Sequence, residues 1–383
     1  MRAVGVMSGT SLDGIDVAML ELLPRGNGYD FIPLRGATLP FSPQLRERLF
    51  AAMPPNEPSP STVAALDRDL GAAIGDAIVR VTGGEAIDFV ASHGVTLYHD
   101  GNERTSVQIG DPFVIRERVQ ATVISDFRRA DCAAGGQGAP LVPYVDALLF
   151  RDERDTISLN VGGIANISIL PRAASREGVR AWDTGPGNML LDAFVRQRSG
   201  GTLPYDAYGE AAARGTIDRQ LLFAMFSDPY FSAAPPKSTG RERFGQAFLD
   251  RFAPDLAKLN DDDGCATLLA LTIESIVSAI LDNLPRGGRV IVSGGGARNR
   301  ELLRRLAERL PLCTIERPED LGINGDLKEA ISFAIIAYET LRGYGAVLPK
   351  VTGAAHASLL GTIAPHAFHE LYAKMAREAK EDE

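Results

Sequence analysis

Short apolar blocks broken by glycine-bearing polar turns set the rhythm of this chain. Ala3-Val4-Gly5-Val6-Met7 runs into Ser8-Gly9-Thr10-Ser11-Leu12-Asp13-Gly14, and Ile15-Asp16-Val17-Ala18-Met19-Leu20 runs out again. That pattern predicts strand, turn, strand. It returns between Thr156 and Leu170, with Gly162-Gly163 in the turn. A third glycine run, Gly294-Gly295-Gly296, follows the apolar Val290-Ile291-Val292 and precedes a helical stretch from Glu301. Further strands are expected at Asp30–Leu39, Ile87–Gly94, Val107–Ile109 and Ala121–Ser125. Helical periodicity marks Thr62–Val81 through Val63, Leu66, Leu70, Ile74 and Ile78. Helices are also expected at Pro40–Ala52, Pro112–Val119, Val142–Phe150, Asn188–Gln197, Ala266–Leu284 and Lys328–Leu341. A charged helix that frays is expected from Ala364 to Glu383. Strands alternating with helices predict an α/β class, and the two hairpins predict mixed sheets. The glycine-rich stretch Arg128–Pro140 reads as an inter-domain linker and cleft floor.

Composition changes this picture little. The 383 residues suit two domains, with 45% hydrophobic and 23% charged residues. The formal net charge of -9 and the lack of a long basic run give no signal for nucleic acid. Cys132, Cys265 and Cys313 are far apart and lack metal-type spacing, which fits reduced thiols in a cytoplasmic protein. No signal-peptide pattern opens the chain, and no apolar segment is expected to span a bilayer.

The turns carry the candidate chemistry. In Gly9–Asp16, the glycines let backbone amides approach an anion, hydroxyls flank them, and Asp13 and Asp16 offer carboxylates. Ordinary hairpin turn chemistry accounts for the same residues. Trp182-Asp183-Thr184-Gly185-Pro186-Gly187-Asn188 sets one acid in a glycine–proline turn, with Asn188 placed to cap the next helix. Asp183 is either a catalytic carboxylate or a turn residue bonding only to backbone. A Walker-type phosphate loop is absent from the sequence. Two such hairpins and a strand–glycine–helix turn, in that order, suit a duplicated ATPase.

At MSGTSLDGID the sequence resembles the anhydro-N-acetylmuramic acid kinases of the actin/hexokinase/heat-shock-70 ATPase superfamily. Similar segments continue through Gln108–Pro112, Asp126–Arg129, Gly135–Pro143, Asp183–Asn188, Pro236–Glu242, Glu329–Ala330 and Val351–Ala354. Position 95 is Val where the family usually has Gln, and residues beyond Pro365 depart from the family. The resemblance implies a two-domain duplicated actin-like (ribonuclease-H-like) fold, its mixed sheets flanked by helices around a central cleft. Domain I is expected to hold residues 1–127 and about 347–383, and domain II residues 128–346. ATP is expected on Gly9, Thr10, Ser11, Leu12, Asp13, Gly14, Ile15 and Asp16, on Gly162 and Gly163, and on Gly294, Gly295 and Gly296. Mg²⁺ is expected with the nucleotide, reached by Asp13 through water. Asp183 is implied as the base. Asp126, Arg129 and Glu329 are implied as sugar contacts, although a surface ion pair and a favourable helix-start acid explain them equally. His93 fits a satisfied core histidine, and Lys237 fits either a solvated loop or a phosphate contact. The implied reaction opens a 1,6-anhydro amino sugar with water and phosphorylates its 6-oxygen, in cell-wall recycling. The alternatives are an ordinary hexose or N-acetyl amino sugar kinase and a nucleotide switch without a small-molecule acceptor. The expected partner is the small amino sugar, with no nucleic acid or membrane, and a homodimer is one option for assembly.

Overall fold

The computed structural model describes every residue except 26–27, 151, 173–177 and 382–383, so the last residues of the expected charged tail lie outside it. The chain forms two compact units, Met1–Val145 with Asp326–Glu383, and Asp146–Gly325. The strands, in chain order, are β1 (Arg2–Ser8), β2 (Ile15–Arg25), β3 (Gly28–Leu39), β4 (Phe89–Asp100), β5 (Thr105–Ile109), β6 (Thr122–Ser125), β7 (Thr156–Val161), β8 (Ile164–Leu170), β9 (Arg180–Pro186), β10 (Gly288–Ser293), β11 (Cys313–Glu316) and β12 (Thr362–Ala364).

The two sheets repeat one topology. The first unit orders its strands β12-β6-β4-β1-β2-β3, with β5 paired to β4. There β1, β2 and β3 are antiparallel neighbours, while β4 and β6 run parallel to β1. The second orders them β11-β10-β7-β8-β9. Here β7, β8 and β9 are antiparallel neighbours, while β10 and β11 run parallel to β7. Two hairpin-linked strand trios, each extended by parallel strands, form the duplicated ribonuclease-H-like arrangement that the sequence implied.

Each unit has its own core. In the first, Val4, Val6, Val17 and Met19 pack with Leu49, Leu66, Leu70, Ile74 and Ile78 from helices Pro43–Ala52 and Pro60–Thr82. The second helix begins two residues before the expected start at Thr62, where Ser59 accepts the Thr62 amide, and ends at left-handed Gly83. In the second unit, Ile157, Leu159, Val161 and Ile167 pack with Leu268, Ile276 and Ile280 of helix Asp261–Asn283. That helix corrects one expectation, because it is long and apolar enough to cross a membrane. Its most apolar window is 78% buried inside the protein, which makes it a core helix by packing.

The glycine-rich stretch differs from the expected linker. Arg129–Ala133 is a short helix, and the whole run belongs to the first unit. The buried Asp131 carboxylate accepts the Gly138 amide at 2.7 Å and the Thr352 hydroxyl at 2.7 Å. Gln137 N donates to Thr352 O at 2.8 Å, and Ala355 N donates to Ala134 O at 2.8 Å. The run is therefore stitched to Val351–Ala354 by a buried charge and its partners. Helix Lys328–Leu341, expected in domain II, packs on β1, β2 and β4 and belongs to the first unit as well. The units accordingly divide at Val145/Asp146 and Gly325/Asp326 rather than near 127 and 346.

Candidate active site

In the second unit, a β-bulge decides which way Asp183 faces. Ala165 stands opposite Gly185 and Asn166 opposite Asp183, so β9 carries Thr184 as an extra residue. Without it, Asp183 would stand opposite Ile167, whose side chain is fully buried in the apolar core. With it, Trp182 takes that core position, and Asp183 lines up with Asn166 and Asn160 across three adjacent strands. Residues paired across a sheet share a face, so the extra residue moves the acid from the core face to the polar one. Thr184 is itself buried, and its hydroxyl donates to Ala165 O at 3.2 Å.

Among the described residues, the carboxylate is held by hydrogen bonds and pairs with no cation. Its Oδ2 accepts the Thr239 amide at 2.9 Å. Its backbone carbonyl accepts the Tyr230 hydroxyl at 2.7 Å, and its backbone amide donates to Lys237 O at 3.2 Å. Burial raises the Asp183 carboxyl to about 6 and the Glu242 charge adds to the rise, against the lowering from the Thr239 amide. Lys237 is committed elsewhere. Its ammonium donates to Tyr230 O at 2.9 Å and Phe231 O at 3.3 Å, over the Tyr230 ring. It is neither a freely solvated loop lysine nor paired with Asp183.

The glycine turns of this unit converge on the same place. Gly187 N and Met189 N donate to Gly163 O at 2.8 and 3.2 Å, and Asn188 N donates to Gly162 O at 2.8 Å. A side chain at Gly187 would meet Gly162 O at 2.3 Å, so only glycine lets the two turns touch. Asn188 does not cap the following helix, Met189–Arg198, as expected. Its side-chain amide instead donates to Val161 O at 3.1 Å, pinning the β7 end. Gly294 has φ +79°, and a Cβ there would lie 2.6 Å from Asn160 Oδ1. Gly162-Gly163, Asp183–Asn188 and Gly294–Gly296 thus form one cluster around the ends of β7 and β10.

In the first unit, the Gly9–Gly14 turn closes with Leu12 N donating to Gly9 O at 3.1 Å, and Arg46 Nε donates to Leu12 O at 2.8 Å. Leu12 is fully buried and has φ +54°, a left-handed backbone for a bulky residue. Thr10, Ser11 and Asp13 stay exposed at the tip. The Asp16 carboxylate accepts the Thr38 hydroxyl at 2.5 Å. Burial raises Asp16 to about 6, and the charges of Glu329, Asp326 and Asp13 push the same way. The structure therefore brings Asp13, Asp16 and Glu329 into one electrostatic neighbourhood, and adds Asp326, which sequence reasoning missed. Among the described residues, no group of three His, Cys, Asp or Glu is arranged to hold a metal ion.

Asp126 and Arg129 form an ion pair with each other, Asp126 at φ +59° and Arg129 exposed. They line a cavity of about 610 Å³ with Arg104, Ser106 and Cys132. His93 is a satisfied core histidine. Its Nε2 accepts Arg128 Nε at 3.0 Å, its Nδ1 lies 3.1 Å from Gly94 O, and burial beside Arg128 lowers it to about 3. Val95 is fully buried in the apolar core, so position 95 offers no polar contact in this chain.

Residues 1–366 match the family described as anhydro-N-acetylmuramic acid kinase. The chain belongs to the anhydro-N-acetylmuramic acid kinase family. It is 37% identical to the family's enzyme from Caldanaerobacter subterraneus subsp. tengcongensis, covering 94% of this chain and 96% of that one. It is 42% identical to the enzyme from Synechococcus elongatus, covering 95% and 99%. Among solved structures, it is similar at 12% identity and TM-score 0.42 to the activator of 2-hydroxyisocaproyl-CoA dehydratase from Clostridium difficile, covering 88% and 95%. The family match ends at His366, beside the point where the sequence departs from the family pattern. Sequence reasoning missed Asn160, Asn166, Thr239 and Tyr230. The period-two polar positions flanking Gly162-Gly163 were the available signal for the two asparagines.

Proposed function

We propose that this kinase adds water at the anomeric carbon of 1,6-anhydro-N-acetylmuramic acid and transfers the γ-phosphoryl of ATP to the freed 6-oxygen. The products are N-acetylmuramic acid 6-phosphate and ADP, and the setting is cytoplasmic recycling of cell-wall sugars. The observation that carries this reading is Asp183, a largely buried carboxylate with no cationic partner among the described residues, turned onto a polar face and raised to about 6. Such a group is mostly ionised at neutral pH yet basic enough to take a proton. Asp183 accepts one proton from water as the water oxygen bonds the anomeric carbon. The bond from that carbon to the 6-oxygen breaks, and the 6-oxygen bonds the γ-phosphorus as ADP departs.

The backbone amides of Gly9–Asp16 are assigned to the phosphates, as are Gly162 and Gly163, and Gly294–Gly296 to the nucleoside. Asp126, Arg129 and Glu329 are assigned to the sugar, and a guanidinium such as that of Arg129 suits its lactyl carboxylate. The exposed carboxylate of Asp13, beside Asp16, Asp326 and Glu329, fits a cation arriving with the nucleotide and held through water. Mg²⁺ supplies charge neutralisation of the transferred phosphoryl group.

The test is mass spectrometry of the product formed from ATP, Mg²⁺ and 1,6-anhydro-N-acetylmuramic acid. A gain of one phosphoryl group plus one water is expected. A gain of phosphoryl alone would make this an ordinary hydroxyl kinase and would reassign Asp183 to a sugar hydroxyl.

A further inference from the structure

Asn166 is the nearest cross-strand neighbour of Asp183 on the polar face. The two residues are directly paired between β8 and β9, and Asn160 continues the row on β7. Directly opposed residues of antiparallel strands hold their Cβ atoms about 4.5–5.5 Å apart, so one small ligand atom can touch both side chains. Asn166 is only partly exposed, and the residues on either side of it, Ala165 and Ile167, are fully buried in the core. Among the described residues, its side-chain amide hydrogen-bonds to no protein group. That amide is therefore free to bind a ligand on the polar face, beside the Asp183 carboxylate. The bulge at Thr184 supplies the second, independent observation. It breaks the regular register at the one place that sets Asp183 opposite Asn166 rather than opposite Ile167.

We propose that Asn166 is a catalytic residue that holds the attacking water together with Asp183. This inference rests on the proposed role of Asp183 as base. Water needs its two hydrogens accepted by protein so that an oxygen lone pair points at the anomeric carbon. Asp183 accepts the hydrogen that is lost as a proton. The Asn166 Oδ1 accepts the second hydrogen, which stays on the oxygen as the new anomeric hydroxyl. The side-chain amide nitrogen of Asn166 is left to donate to a sugar oxygen. The step balances: one oxygen–hydrogen bond of water breaks with its proton going to Asp183, one carbon–oxygen bond forms, and the anhydro carbon–oxygen bond breaks with its electron pair staying on the 6-oxygen, which takes the γ-phosphoryl of ATP as ADP leaves.

The test compares Asn166→Ala, Asn166→Asp and Asp183→Asn in steady-state kinetics, with circular dichroism to confirm folding. Asn166→Ala is expected to lower kcat about 10- to 100-fold while leaving the KM for ATP within about twofold. Asn166→Asp keeps an acceptor in place but sets a second carboxylate against Asp183. Like charges at that distance raise the acid limb of the pH–rate profile, by about one pH unit or more. That shift reports how close the two side chains stand, while the kcat loss in the uncharged Asn166→Ala, with the KM for ATP unchanged, reports the contact with water. If Asn166→Asp shows the wild-type limb and Asn166→Ala keeps its kcat, the role of Asn166 is overturned while that of Asp183 stands. If Asp183→Asn also turns over normally, the underlying reading of the base fails with it.

Discussion

Asp183 shows how a residue can be costly to the fold while suiting the role of base proposed for it. Its carboxyl is raised from 3.8 to about 6, with burial as the main cause. A raised carboxyl favours the folded state below its ordinary range, and that advantage is lost as pH rises through about 6. At neutral pH the ionised form is therefore a burden on the second unit. Asp183→Asn keeps an oxygen to accept the Thr239 amide and removes the buried charge. It should raise stability at pH 7.5 by about 1–2 kcal/mol, with the gain shrinking toward pH 4.5, while turnover is lost. Chemical denaturation at the two pH values reads this directly, and a variant less stable than wild type at pH 7.5 would refute it. In the wild type, kcat/KM should fall about tenfold per pH unit below about 6. The acid itself was legible from its glycine–proline turn. Its environment was not, because Thr239 and Tyr230 lie 56 and 47 residues away in sequence.

At the scale of elements, the hairpins and the principal helices were readable because their signals are local. Apolar runs around polar turns marked β1, β2, β7 and β8, and the spacing of Leu66, Leu70, Ile74 and Ile78 marked helix Pro60–Thr82. What could not be read was tertiary contact. The bulge in β9 depends on how β8 pairs with it, and no local pattern announces one extra residue. The run Arg128–Pro140 looked like a linker because glycines dominate it. Its order comes from Asp131 bonding Thr352, 221 residues away. The contact between the Gly162-Gly163 turn and the Gly185–Asn188 turn is of the same kind, and it can be tested. In Gly187→Ala the new methyl would lie 2.3 Å from Gly162 O and 3.0 Å from the Ile164 carbonyl carbon, both backbone atoms that cannot rotate away. The turns must separate, at a cost of about 1–3 kcal/mol. Because the proposed phosphate turn moves with them, the KM for ATP should rise and kcat should fall together. A variant with unchanged stability and kinetics would show that the two turns do not need their close approach.

On the scale of the whole molecule, the sequence order of the three glycine turns foretold a repeated topology, since each sheet needs its own leading hairpin. The same order does not account for the C-terminal segment, which lies outside the family match. There Phe368–Glu381 forms a helix in the first unit. Leu371 is buried, and Lys374 pairs with Asp88 at 2.7 Å. Asp88 also accepts the Arg2 amide at 2.7 Å, so this helix sits at the start of the central strand β1. Strand β1 runs from that end toward the Gly9–Gly14 turn, so the helix braces the end opposite the proposed phosphate contacts. A partly exposed ion pair contributes about 0–1 kcal/mol, and burying one leucine about 1.5–3 kcal/mol. Cutting the chain after His366 keeps the Thr122 hydroxyl bonded to His366 O at 2.9 Å, and with it the end of β12. The shortened protein should therefore lose about 2–4 kcal/mol from the first unit, read as an earlier denaturant midpoint, while kcat and both KM values stay within about twofold. A large fall in kcat with stability intact would instead tie the C-terminal helix to catalysis.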